Sequence, residues 1–73
     1  MSQRFTAVIR AESGGFVSLC PELDIASQGD TVEEARANLH AAVELFFECA
    51  SPDEVRARLA GDVFVTQIEV TVG

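Results

Sequence analysis

Few residues in this 73-residue sequence are able to do chemistry. Cys20 and His40 supply a thiol and an imidazole, which could act as nucleophile and general base if a third group oriented the histidine. Glu12 and Glu69 fall on strand-like segments, and carboxylates clustered on neighbouring strands can hold divalent ions for phosphoryl transfer. Neither set is complete. His40 is the only histidine; it lies between Arg36 and Glu44 on a helical stretch, where a hydrogen bond to Glu44 is the expected state. Val8, Ile9 and Arg10 occupy the middle of the first strand, where metal-binding acids would have to sit. Cys20 and Cys49 have no CxxC spacing and no matching histidines, so both are read as buried, reduced thiols. Gly14-Gly15 has no GxGxxG or GK[ST] pattern around it and reads as a turn. The sequence therefore predicts no catalytic residue, no cofactor and no metal, and the chain is not expected to be an enzyme.

The charge balance points in another direction. Twelve Asp and Glu stand against five Lys and Arg, a formal net charge of -7. Binding to phosphate backbones needs clustered basic side chains, so direct nucleic-acid binding is not expected. A basic protein is the partner that such a charge would steer into contact. With 48% hydrophobic residues the chain can fold as one domain, residues 1–73, but is too short for two cores. It shows neither a signal peptide nor a membrane-spanning run, which predicts a cytoplasmic protein.

The elements that must position these residues can be read from periodicity. Residues 4–12 alternate, with Phe5, Ala7, Ile9 and Ala11 on one side and Arg4, Thr6, Arg10 and Glu12 on the other. Ser13-Gly14-Gly15 reads as a three-residue hairpin loop, which sets Glu12 opposite Phe16, Ala11 opposite Val17 and Ile9 opposite Leu19. Pro21 interrupts the second strand, and residues 23–28 form a short third strand at an edge. Gly29 leads into a helix with two candidate capping boxes, Asp30 with Glu33 or Thr31 with Glu34.

From Val32 to Cys49 the stripe Val32, Ala35, Leu39, Ala42, Val43 and Phe46 recurs at 100° per residue, opposite an acidic face with Glu33, Glu34, Glu44 and Glu48. Ser51-Pro52-Asp53-Glu54 starts a second, short helix to about Leu59. Residues 63–72 alternate again and predict a fourth strand, with Phe64, Ile68, Val70 and Val72 on one face and Val63, Val65, Gln67, Glu69 and Thr71 on the other. The fold class is α+β, a two-layer βββα(α)β sandwich with a mixed four-strand sheet of order 3-2-1-4 and one main helix on one face. Its outer face would present Arg4, Thr6, Val8, Arg10 and Ser18 together with the outward side of the last strand. This order matches the first part of a ribonuclease H-like fold.

One stretch carries more than its elements. Cys20-Pro21-Glu22-Leu23, then Ser27-Gln28-Gly29-Asp30-Thr31, Glu33-Glu34-Ala35 and Asn38-Leu39, resembles the HicB-type antitoxin family, small proteins of the UPF0150 type with a partial RNase H-like fold. The resemblance covers residues 4–49 and implies an antitoxin of a type II toxin–antitoxin module. Such a protein binds a basic HicA-type toxin, an mRNA-cleaving enzyme, and inhibits it by masking its active site. Homodimers or homotetramers are implied as well. Many relatives carry a further DNA-binding domain; here the sequence ends at Gly73, which predicts a single HicB-like domain. Many also have Pro-Gly where this chain has Asp24-Ile25. The partner contacts expected on the uncovered sheet face are Val65, Gln67 and Glu69, followed by Glu22 and Asp24. The alternative is an orphan HicB-like scaffold or regulatory domain, oligomeric and without a toxin.

Overall fold

Gly14 decides how the first two strands face each other. In the computed structural model, which describes residues 2–73, Gly14 has φ +83°, the conformation a type II turn requires at its second central residue. Ser13 and Gly14 alone connect β1 (Val8–Glu12) to β2 (Gly15–Cys20). Glu12 stands opposite Gly15, Ala11 opposite Phe16 and Ile9 opposite Ser18. The loop is thus one residue shorter than the three-residue loop expected from sequence, and a one-residue change of register turns a strand over. Phe16, Ser18 and Cys20 face the interior, while Val17 and Leu19 lie on the open side with Val8. Ser18, expected on the outer face, is buried and donates its hydroxyl to the Ala35 carbonyl at 2.9 Å. Pairing apolar with apolar residues misjudged this position, because a small, satisfied hydroxyl lets a helix come closer than a leucine would.

That helix is α1 (Val32–Cys49), and its start is held against β3 (Ile25–Gly29). A Cβ on Gly29 would lie 2.5 Å from the Ala35 nitrogen and 2.8 Å from the Glu34 carbonyl carbon. Of the two possible caps the chain uses Thr31, whose Oγ1 accepts the Glu34 N–H at 3.0 Å. The Glu34 carboxylate reaches back to the Asp30 N–H, also at 3.0 Å. Farther along, the Asn38 amide donates to the Gln28 carbonyl at 2.7 Å, and Leu39 joins Cys20 and Leu23 in the core. The sheet order is β1-β2-β3, all antiparallel. The helix lies mainly over β3 and β2 and touches β1 least.

Between β2 and β3 the chain turns, with Leu23 buried and Asp24 at φ +55°. The third strand therefore begins at Ile25, later than residue 23, because Leu23 spends its side chain on the core and its N–H on the Cys20 carbonyl at 3.3 Å. After α1, Ser51 caps α2 (Pro52–Leu59) by accepting the Glu54 N–H at 3.1 Å. Arg58 fastens α2 to the body: it donates to the Leu23 carbonyl at 2.6 Å and lies 5.1 Å from the centre of the Phe46 ring.

Among the described residues the expected fourth strand does not form, so the sheet does not have the order 3-2-1-4. Residues 60–73 lie outside any helix or strand, and from 61 onward all are exposed. A strand takes its hydrogen bonds from a neighbour, and beyond Gly61 this chain meets none. The first strand is also shorter than residues 4–12, since it pairs only from Val8. Its earlier half has no strand opposite because β2 ends at Cys20, and the Thr6 N–H is taken by the Glu22 carboxylate.

The close approach at Gly29 makes a direct prediction. Gly29→Ala forces β3 and the first turn of α1 apart, and overpacking of this kind costs about 1–3 kcal/mol. Thermal melts should show the variant falling by several degrees; an unchanged midpoint would mean that α1 does not rest on this glycine.

Candidate functional site

Three regions outside the core could meet another molecule. The first is the open face of the sheet. Val8 and Leu19 stand side by side there, 41% and 39% exposed, with Val17 and Arg10 beside them. Arg10 reaches Glu12 at 3.7 Å, an exposed pair of little energetic weight. The two-residue turn places Val17 and Leu19 on this face. The three-residue loop expected from sequence would put them in the interior; the Ser13-Gly14 pair is the sequence signal that places them outside.

The second region is a groove of about 880 Å³ between residues 2–7 and the flank of α1. Phe5, Leu39, Val43 and Phe47 form its apolar walls, with Cys20 and His40 also lining it. The Phe5 and Phe47 rings stand 5.7 Å apart. As expected from sequence, His40 is partnered by Glu44, with Nδ1 to Oε1 at 3.2 Å. Cys20 is poorly suited to attack anything: burial pushes its thiol pKa up, the neighbouring negative charge of Glu22 adds to this, and a backbone N–H only partly offsets it. Nucleophilic cysteines need the opposite shift. Cys49, expected to be buried, is exposed at the end of α1. Among the described residues, no three of His, Cys, Asp and Glu come together as metal ligands.

The third region holds the residues expected to touch a partner. Val65, Gln67 and Glu69 lie in the exposed segment beyond α2, away from the sheet edge on which they were expected. Asp24 is exposed at the tip of the β2–β3 turn. Glu22 is half-buried and already occupied. Its carboxylate accepts the Thr6 N–H at 3.0 and 3.1 Å, the Thr6 hydroxyl at 2.6 Å, and the Cys20 thiol at 3.6 Å. This latch ties the start of the chain to the end of β2, and no local pattern in the sequence announces it. The structure thus brings Glu22 and Asp24 to one turn and leaves the other three apart from them. No described helix is long and apolar enough to cross a membrane.

Comparison with known proteins places this sequence in a family. The UPF0150 protein ssl0738 of Synechocystis is 46% identical over 50 residues, 66% of this chain and 69% of that protein. A UPF0150 protein of Thermotoga maritima is 33% identical over 57 residues, 78% of this chain and 81% of its own. The chain belongs to the UPF0150 family. No family model matches it, and no solved structure does. In this UPF0150 chain much of the Gly29 to Leu39 stretch is accounted for by packing and capping. Gly29 sets a distance, Thr31 and Glu34 cap the helix, Asn38 binds a strand carbonyl, and Ala35 and Leu39 are buried.

The latch predicts a pH response. Partial burial alone would raise the Glu22 pKa, but the hydrogen bonds from the Thr6 side chain, two backbone N–H groups and Cys20 outweigh it, so the pKa lies below its ordinary 4.5. A carboxylate with a depressed folded pKa contributes stability that is complete above the unfolded value and lost as pH falls through the folded one. Glu22→Gln should be less stable than the parent at pH 7, and the gap in urea midpoint should close below pH 4.5. A gap that stays constant with pH would show that the carboxylate charge plays no part.

Proposed function

We propose that this UPF0150 chain is an antitoxin: an inhibitory binding protein that docks on a small, basic, mRNA-cleaving toxin of the HicA type and masks its active site. The observation that carries the reading is an apolar sheet face, with Val8 and Leu19 exposed and Val17 half-buried beside them, on a protein of net charge -7. Isolated apolar surface residues are ordinary, but neighbouring ones on a flat face are what protein interfaces use. The acidic residues supply the complementary property. Glu33, Glu34, Glu44 and Glu48 all lie exposed along α1, creating a field that draws in a basic partner and turns phosphate away.

In this reading no residue is catalytic, and inhibition comes from covering the toxin. The resemblance to HicB-type antitoxins at Cys20 to Leu23 and Gly29 to Leu39 supports the choice of partner. The partial RNase H-like arrangement belongs to the same proposal, since it is reached when a fourth strand joins the free edge of β1. Val65, Gln67 and Glu69 would then border the open face. An orphan scaffold is the second reading, favoured by the exposed apolar side of residues 63–72, which suits self-association without any toxin.

Co-expression with a HicA-type toxin should yield a complex and restore growth; failure of both would leave the orphan scaffold. Replacing Val65, Gln67 and Glu69 together by lysine should weaken the complex about tenfold or more, and unchanged affinity would remove these residues from the interface. Salt separates steering from simple solubility. The association rate should fall about tenfold or more from low to high ionic strength, whereas a salt-independent rate would mean that the charge does not guide the encounter.

A further inference from the structure

The free edge of β1, the groove beside it and the unpaired residues 63–72 are complementary in shape and chemistry. The helix is displaced toward β3, so the side of α1 above β1 is left open, and Phe5, Leu39, Val43 and Phe47 line the gap. Asn38 occupies a carbonyl of β3 at the other edge of the sheet. Beyond Thr6 the start of the chain has no strand opposite it, because β2 has already turned away. What fits here is an extended segment with apolar side chains on one face.

The chain carries such a segment and leaves it in water. Phe64, Ile68 and Val72 are 87%, 84% and 85% exposed, and all project from the same side of an extended chain. The whole molecule is correspondingly open. Its radius of gyration is 14.3 Å, against about 11 Å for a compact chain of this length. Its accessible surface is 5964 Å², whereas a monomer of this mass should show about 4,400 Å². The excess is roughly 1,500 Å² per chain, so two copies together could bury about 3,000 Å², within the range of obligate homodimers. After Gly61 the chain leads away from its own body, and the molecule measures 49 Å along its longest axis.

We propose that two copies of this chain exchange their C-terminal segments. Residues 63–72 of each pair with the free edge of β1 in the other and place Phe64, Ile68, Val70 and Val72 in its groove. Exchange about a twofold axis satisfies both edges at once and puts the apolar side of each segment, Phe64, Ile68, Val70 and Val72, out of water. The outward side of the added strand, Val65, Gln67 and Glu69, then extends the open face of the second copy. The inference does not depend on the antitoxin reading, because an exchanged dimer without a toxin and a toxin-binding monomer are separate results.

Light scattering on the full chain tests the mass, and isotope-filtered NMR on an equimolar mix of labelled and unlabelled chains tests the exchange. The expected results are twice the monomer mass of 7.8 kDa and intermolecular contacts from Ile68 and Val70 methyls to Phe5, Leu39 or Phe47. A monomeric mass, contacts confined to one chain, or a dimer lacking these contacts would each overturn the proposal. Ile68→Asp gives a second check, since a buried, unpaired carboxylate is strongly disfavoured. It should raise the dissociation constant at least about tenfold while the helical circular dichroism is retained. The same dissociation constant as the parent would place Ile68 outside the interface.

Discussion

The distance between β3 and the first turn of α1 is the constraint on which the rest of this domain depends. Only a glycine at position 29 allows it, since any Cβ there would run into the backbone of Glu34 and Ala35. With the helix that close, Ala35 is fully buried, its carbonyl can take the Ser18 hydroxyl, and Asn38 can reach the Gln28 carbonyl. Close contact at one point costs coverage at another. A helix drawn onto β3 does not extend over β1, and with a single main helix there is nothing else in the described chain to cover that edge.

Much of this was legible in the sequence, for identifiable reasons. Caps are local, so Thr31, Glu34, Ser51 and Pro52 announced two helix starts within a few residues, leaving open only which of two boxes would form. The stripe on α1 repeats over eighteen residues, long enough for its inward face to be unambiguous. The His40 to Glu44 contact followed from their spacing of four. The hairpin was harder, because Phe16 to Cys20 presents apolar residues on both sides and no alternation arbitrates between them. Two long-range facts had no sequence signal: Glu22 meets Thr6 sixteen positions away, and the alternating residues 63–72 find no neighbour within their own chain.

The Gly29 to Leu39 stretch and the surfaces available for binding occupy different parts of the molecule. Gly29, Thr31, Glu34, Asn38 and Leu39 are all engaged in holding α1 to the sheet, whereas Val8, Val17, Leu19 and residues 63–72 take no part in that work. That stretch therefore shows how the helix is held and says little about what the chain binds. The five residues expected to contact a partner divide along the same line: Glu22 is bound internally, and Asp24, Val65, Gln67 and Glu69 remain exposed.

The turn at Ser13 and Gly14 has a consequence for how this gene can vary. Exposed loops ordinarily accept insertions because added length is absorbed in solvent. Here one additional codon between Glu12 and Gly15 would reverse which side of β1 matches β2, sending Arg10 inward and Ile9 outward unless a bulge took up the extra residue. This exposed loop of the sheet is thus among its least tolerant of a change in length, and of its two residues only Ser13 is free of the positive φ that favours glycine.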